Sequence, residues 1–192
     1  MRHMHRLLHN GLMGSVLLLL AGISTSAQTQ IPMTIQATAM GTSTQLGRQY
    51  DVNIYIEQLS TPDDRKALID AFNSSGQEGM VKVLEDMKPK GRVRFSGGGV
   101  GNDVKYIIEL PSDKGRRFRL VTDRILAFAE LYAGTRSREY TVGAIELTIA
   151  PDGKGTGTVL PACKLKLDKQ KRLDIETYQN PYNLVNFRIS KD

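Results

Sequence analysis

Residues 144–167 read AIELTIAPDGKGTGTVLPACKLKL, and this stretch carries the plainest fold signal in the chain. Ile145, Leu147 and Ile149 alternate with other residues, which is the period of a strand with one buried face. The turn signal PDGKG follows at once, and a second alternating run contains Cys163. The pattern predicts two antiparallel strands joined by a hairpin, with Cys163 buried as a small apolar residue.

The same alternation recurs along most of the chain, with short polar turns between the runs. It predicts a mainly β domain whose antiparallel strands follow one another as a meander. A meander of this length closes into a small barrel or folds into a two-layer sandwich, and the pattern leaves both open. One run places Val104, Tyr106, Ile108 and Leu110 on a shared face. We also assign residues 124–132 to a strand, although their apolar spacing fits a helix as well.

A helical hairpin at about residues 61–88 is predicted to interrupt the strands, so the class is α+β in detail. Thr61 suits the N-cap of the first helix, and residues 74–76 (Ser-Ser-Gly) end it. Met80 and Met87 lie on the apolar side of the second helix. We expect that side to cover one face or end of the sheet.

Residues 1–27 have the three parts of a secretory signal peptide. Arg2 and Arg6 supply the positive start, residues 12–23 form the apolar run, and small residues lead up to Ala27. The apolar run is shorter than the ~20 residues that a membrane-spanning helix needs. We therefore expect cleavage after Ala27, export to the periplasm or the medium, and no membrane span in the mature chain.

The mature chain, residues 28–192, is predicted to be a single domain without histidine, because His3, His5 and His9 all lie in the leader. It also has no tryptophan and one cysteine, Cys163. These counts exclude the Ser-His-Asp and Cys-His nucleophile systems and most zinc sites, and we expect no metal and no cofactor. Loss of the two arginines of the leader lowers the formal net charge from +6 to +4, a mildly basic balance.

Arginines recur on the predicted strands and form the candidate binding residues: Arg117, Arg119, Arg124, Arg136 and Arg138. Guanidinium groups at alternate positions line one strand face and grip carboxylate or phosphate, so they suit an anionic partner. The alternative is a solvated outer face that pairs with neighbouring carboxylates: Glu109, Glu139, Glu146, Asp174 and Glu176. No aromatic row of matching spacing accompanies the arginines, which argues against nucleic-acid binding.

Several stretches carry a family resemblance: AMGTSTQLGR at 39–48, STPDDR at 60–65, RLVTDR at 119–124, TRSR at 135–138 and YNLV at 182–185. With these the chain resembles a family of exported bacterial proteins that has no assigned activity. The resemblance implies a shared fold and export. It carries over no catalytic residue, cofactor or ligand.

Three classes of function remain open. The favoured one is a non-enzymatic envelope protein that binds a small apolar ligand in a barrel mouth, or an anionic envelope polymer or similar partner on the arginine-bearing face. A histidine-free hydrolase would instead need two carboxyl groups across a cleft, one with a raised pKa. A structural subunit of an envelope complex would expose an apolar patch around Met80 and Met87.

Overall fold

The computed structural model describes residues 31–97, 99–126, 140–177 and 180–191. Within them the strands are β1 (Met33–Gly41), β2 (Gln49–Ile56), β3 (Gly91–Phe95), β4 (Asn102–Leu110), β5 (Arg116–Thr122), β6 (Val142–Ile149), β7 (Gly155–Leu167), β8 (Leu173–Glu176) and β9 (Tyr182–Lys191). One helix, α1 (Pro62–Asp86), joins β2 to β3.

The strands form one antiparallel sheet that closes on itself. From β1 to β7 each strand pairs with the next, and β9 fills the gap between β7 and β1. Among the described pairings, β8 contacts β7 alone and lies outside the ring. Eight strands therefore form a closed barrel with an appended hairpin. The prediction of a mainly β fold is confirmed, and the choice left open between barrel and sandwich resolves to the barrel.

Apolar side chains fill the interior of the barrel. Successive side chains point to opposite faces of a strand, so alternate residues face inward. The interior cluster is buried throughout and includes Met33, Ile35, Ile54, Ile56, Val93, Ile107, Phe118, Leu120, Ile145, Leu147, Val159 and Leu184. An eight-stranded barrel is about as wide as such side chains can fill. The described interior is a packed core.

Shifts of register change the face on which side chains lie in β4 and in β7. In β4 the shift falls between Val104 and Tyr106, so Val104 packs inside the barrel while Tyr106 and Ile108 lie on the outer face. The expectation of one shared face is wrong here, because an inserted residue reverses the alternation beyond it. In β7 a similar shift leaves Val159 inside and Cys163 outside. Cys163 is nevertheless fully buried, as predicted.

Helix α1 begins with a capping box at the predicted N-cap. The Thr61 hydroxyl accepts the N–H of Asp64 at 3.1 Å, and the Asp64 carboxylate accepts the N–H of Thr61 at 2.8 Å. The Lys90 ammonium lies 3.1 Å from the same carboxylate and ties the helix start to the barrel. The helical backbone breaks at Ser75 and Gly76, where a break was predicted.

Helix α1 and the β7–β8 hairpin cover one outer side of the barrel. Beyond its break the helix packs closely on its own first half, since a Cβ on Gly79 would lie 2.6 Å from the Ala71 carbonyl oxygen. The buried residues of this outer cluster are Leu68, Met80, Leu84, Tyr106, Val121, Val142, Ala144, Cys163, Leu165 and Leu173. Met80 is therefore part of a second core rather than of an exposed patch.

Residues 124–126 do not form the strand predicted for them. This segment follows β5 without strand pairing, and the Leu126 N–H donates to the Pro161 carbonyl oxygen at 3.0 Å. The Leu126 side chain is buried with the barrel interior, so its apolar character reflects closure of the barrel end rather than a sheet. Residues 127–132 of the predicted strand lie outside the described residues.

Candidate functional site

An open groove runs along the outer side of the barrel, between the first turns of α1, the β7–β8 turn and the strands β4 and β5. It has two parts, of about 500 and 420 Å³, which share Arg65, Tyr106 and Ile108. Four arginines, three carboxylates and several apolar side chains line the larger part. The smaller part has fewer charges and a larger apolar share of its surface. Small-ligand sites in proteins measure roughly 300–1,000 Å³, so each part has a suitable size.

Tyr106 forms the floor of the groove because the β4 register shift turns it outward. Its side chain is buried, and it lines both parts of the groove. Its hydroxyl makes no hydrogen bond to any residue that the structure describes. Burial raises the pKa of Tyr106, against the opposing effect of the Arg65 charge. The hydroxyl is therefore protonated at neutral pH, with a donor and an acceptor left for a ligand.

Arg65 stands at the junction of the two parts, on the first turn of α1. Its guanidinium donates to the Lys171 carbonyl oxygen at 3.4 Å and forms no ion pair with a described carboxylate. The adjacent Asp64 directs its carboxylate to the Thr61 N–H and the Lys90 ammonium. The groove is thus lined by both an exposed cation, Arg65, and the hydroxyl-bearing Tyr106.

Arg117 and Arg119 line the basic part and share one carboxylate. The Glu146 oxygens accept from Arg117 at 2.7 Å and from Arg119 at 2.8 Å. Arg119 also donates to the Leu173 carbonyl oxygen and lies 3.8 Å from Asp174, which links β5 to β8. Burial acts to raise the pKa of Glu146, but the two guanidinium groups outweigh it and lower that pKa.

Arg172, on the β7–β8 turn, completes the basic lining. Its Nε lies 2.7 Å from Asp168, whose carboxylate also accepts the Arg172 backbone N–H at 2.8 Å. Of the four arginines that line the groove, three therefore have a carboxylate partner and Arg65 has none among the described residues. The groove is weakly basic overall, with the excess charge located at Arg65.

The structure brings two of the predicted binding residues together and separates a third. Arg117 and Arg119 both line the groove. Arg124 lies beyond the far end of β5, where it donates to the Gly101 carbonyl oxygen at 3.3 Å. Arg136 and Arg138 lie outside the described residues.

Arg65 and Tyr106, the groove residues on which the site mainly depends, are not among the binding residues predicted from the sequence. Arg65 lies within a helix-start signal, and nothing in the sequence distinguishes it from a solvated helical arginine. Simple alternation assigns Tyr106 to the same face as Val104, and hence to the core. Only the register shift in β4 reveals it as a groove residue.

The carboxyl groups of the described chain bear on the hydrolase alternative. Four of them have clearly shifted pKa values, and all four are lowered: Asp64, Glu146, Asp152 and Asp168. A glycosidase-type general acid needs the opposite shift. Within the described ranges no group of His, Cys, Asp and Glu side chains is placed to hold a metal ion. None of the described helices is long and apolar enough to cross a membrane.

No protein-family model, curated protein or solved structure matches the chain significantly.

Proposed function

We propose that this protein is an exported, non-enzymatic binding protein that holds an anionic ligand in the groove beside α1. One observation carries the proposal: Arg65, with no carboxylate partner among the described residues, lines the same groove as Tyr106, whose hydroxyl makes no hydrogen bond to a described residue. An anion accepts hydrogen bonds from both groups, and a charge-assisted bond is about twice as strong as a neutral one.

The groove also offers second contacts to an anion. Arg117 and Arg172 line the same part, and each holds its carboxylate with only part of the five-donor fork of a guanidinium. A ligand can therefore bind to Arg65 first and gain further hydrogen bonds without breaking these ion pairs. The packed interior also supports a site in this groove. Side chains fill the described barrel core, so a ligand would bind on the outer surface.

Export is the second element of the proposal, and it rests on the leader sequence. We expect the mature protein to begin at Gln28, and N-terminal sequencing of the protein from a periplasmic extract measures this directly. A mature protein that retains residues 1–27 would contradict export by cleavage.

Binding is tested by nuclear magnetic resonance titration with methyl phosphate at low ionic strength, because this method detects weak ligands. We expect the largest shift changes at Arg65, Tyr106 and Arg172. Arg65→Gln should weaken binding about fivefold or more, the worth of one charged contact of about 1 kcal/mol. Arg188→Gln is the matched control, because Arg188 is exposed on β9 away from this groove.

If Arg65→Gln and Arg188→Gln weaken methyl phosphate binding equally, the anion binds through general surface charge rather than in the groove. Shift changes spread evenly over the exposed arginines would mean the same. Either result would remove the groove from the proposal.

A further inference from the structure

The smaller part of the groove has a different chemistry from the basic part. Pro62, Ile69, Tyr106 and Ile108 provide its apolar surface. Ser60, Thr61 and Lys66 complete the lining with Arg65. Ile69 of α1 and Ile108 of β4 are half-buried and line this same part. This apolar strip begins at Arg65, where the two parts of the groove meet.

We propose that the ligand is a single-chain anionic amphiphile, with its phosphate or carboxylate head on Arg65 and Tyr106 and its alkyl chain along Ile69 and Ile108. This inference rests on the proposed function and names the ligand class for the same groove. Arg65 lines both parts, and Lys66, the further cation of the smaller part, is paired with Asp70. A head group on Arg65 therefore leaves its chain beside Ile69 and Ile108. A small hydrophilic anion would leave that strip in water.

The physical expectation is a dependence of affinity on chain length. A fully buried methylene group gains about fourfold in affinity, and a half-exposed one about twofold. The apolar part of the groove is open to solvent on one side, so the lower figure applies. Affinity should therefore rise about a hundredfold from methyl to octyl phosphate if all seven added methylene groups lie on the strip, and about tenfold if three or four do.

The experiment titrates the mature protein with methyl, butyl and octyl phosphate and with 1-octanol, all as monomers in solution. Ile69→Ser should abolish the gain with chain length and leave methyl phosphate affinity within about twofold of the parent. Val81→Ser is the matched control, because Val81 is a half-buried residue of α1 that does not line the groove. Arg65→Gln should weaken every phosphate and leave 1-octanol unaffected.

Each other outcome has a distinct meaning. Methyl phosphate that binds at Arg65 with no gain on lengthening would overturn the amphiphile and leave the proposed function intact. Failure of both methyl and octyl phosphate would overturn both. If 1-octanol binds as tightly as octyl phosphate, the head-group assignment is wrong.

Two further results are decisive. Concentration-dependent shift changes at the groove without any ligand would show that a second copy of the chain fills it, and this would also overturn the assignment. If Ile69→Ser does not fold, the chain-length series on the parent and on Arg65→Gln decides the question, because neither depends on that variant.

Discussion

Glu146→Gln should lower stability and raise anion affinity at the same time. Glu146 is the one carboxylate that Arg117 and Arg119 share, and glutamine keeps its shape while it removes its charge. The remaining carbonyl oxygen can serve one arginine, whereas the new amide group faces the donors of the other. Arg119 is then left with Asp174 at 3.8 Å and the Leu173 carbonyl oxygen.

The size of the stability loss follows from exposure. The Arg119 and Glu146 side chains are 12% and 21% exposed, so their contact behaves as a mostly buried pair. Loss of the Arg119–Glu146 contact lowers the free energy of unfolding by about 2 kcal/mol, as for a hydrogen bond between charged groups. Arg117 is 41% exposed, and its share is about 0.5 kcal/mol. The total of about 2.5 kcal/mol lowers the Tm by roughly 5–10 °C for a domain of this size.

The stability that Glu146→Gln loses should also depend on pH in a defined direction. The folded-state pKa of Glu146 lies below its ordinary value of 4.5, so its pairing stabilises the protein above pH 4.5. This stability disappears as the pH falls through the lowered folded-state pKa. Glu146→Gln should therefore differ from the parent at pH 7 and approach it in strongly acidic solution.

The assay is urea unfolding at both pH values, with Arg117→Gln as the comparison variant. Arg117→Gln keeps the buried Arg119 contact and should lose less than about 1 kcal/mol. In the methyl phosphate titration, Glu146→Gln should bind about twofold to fivefold more tightly, since it frees positive charge in the groove. Equal destabilisation by the two variants, or weaker phosphate binding by Glu146→Gln, would refute this account of the network.

Three further changes probe the fold around the groove. Burial raises the pKa of Cys163 to about 12, so Ellman's reagent should not react with the folded protein and should titrate one thiol after denaturation. Gly155→Ala should cost about 1–3 kcal/mol in urea unfolding, because its Cβ would collide with the Phe187 ring, and Phe187→Leu in the same chain should recover part of this. Asp64→Asn keeps a capping oxygen but unpairs Lys90, so it should cost about 1–3 kcal/mol, and an unchanged midpoint would show that the ion pair is not stabilising.

Local signals in the sequence predict the elements well. The alternation of Ile145, Leu147 and Ile149 appears as β6, and the turn after it leads into β7 as expected. The capping signal at Thr61 and the break at Gly76 also lie where the sequence places them. Each of these depends on contacts between residues close in the chain, which is why a single sequence reveals them.

Closure of the barrel and the composition of the groove depend on contacts that are distant in the chain. Arg119 of β5 meets Leu173 and Asp174 of β8 because the β7–β8 hairpin crosses the outer face of the barrel. The alternation of side chains along a strand cannot predict that the β7–β8 hairpin crosses this face of the barrel. For this reason Arg117 and Arg119 were predictable as a basic strand face, whereas Arg65 as their neighbour was not.

The register shift in β4 links the fold to the site. It places three successive residues in three environments. Val104 packs in the core, and Tyr106 lines the groove. Between them, the Lys105 ammonium donates to the Met87 carbonyl oxygen at 3.0 Å. A lysine at the carboxyl end of a helix stabilises the helix dipole, so the shift that exposes Tyr106 to the groove also anchors the far end of α1.

The near end of α1 is anchored by the ion pair of Asp64 and Lys90. Because Arg65 follows Asp64 directly, the contact that fixes the helix start also fixes the position of the unneutralised groove arginine beside Tyr106. The site therefore arises where two structural requirements meet, closure of a barrel through a shifted strand and attachment of a helix to its outside. Neither requirement is visible in a pattern of single residues. Together they account for a groove lined by Tyr106, a residue that strand period alone would have assigned to the core.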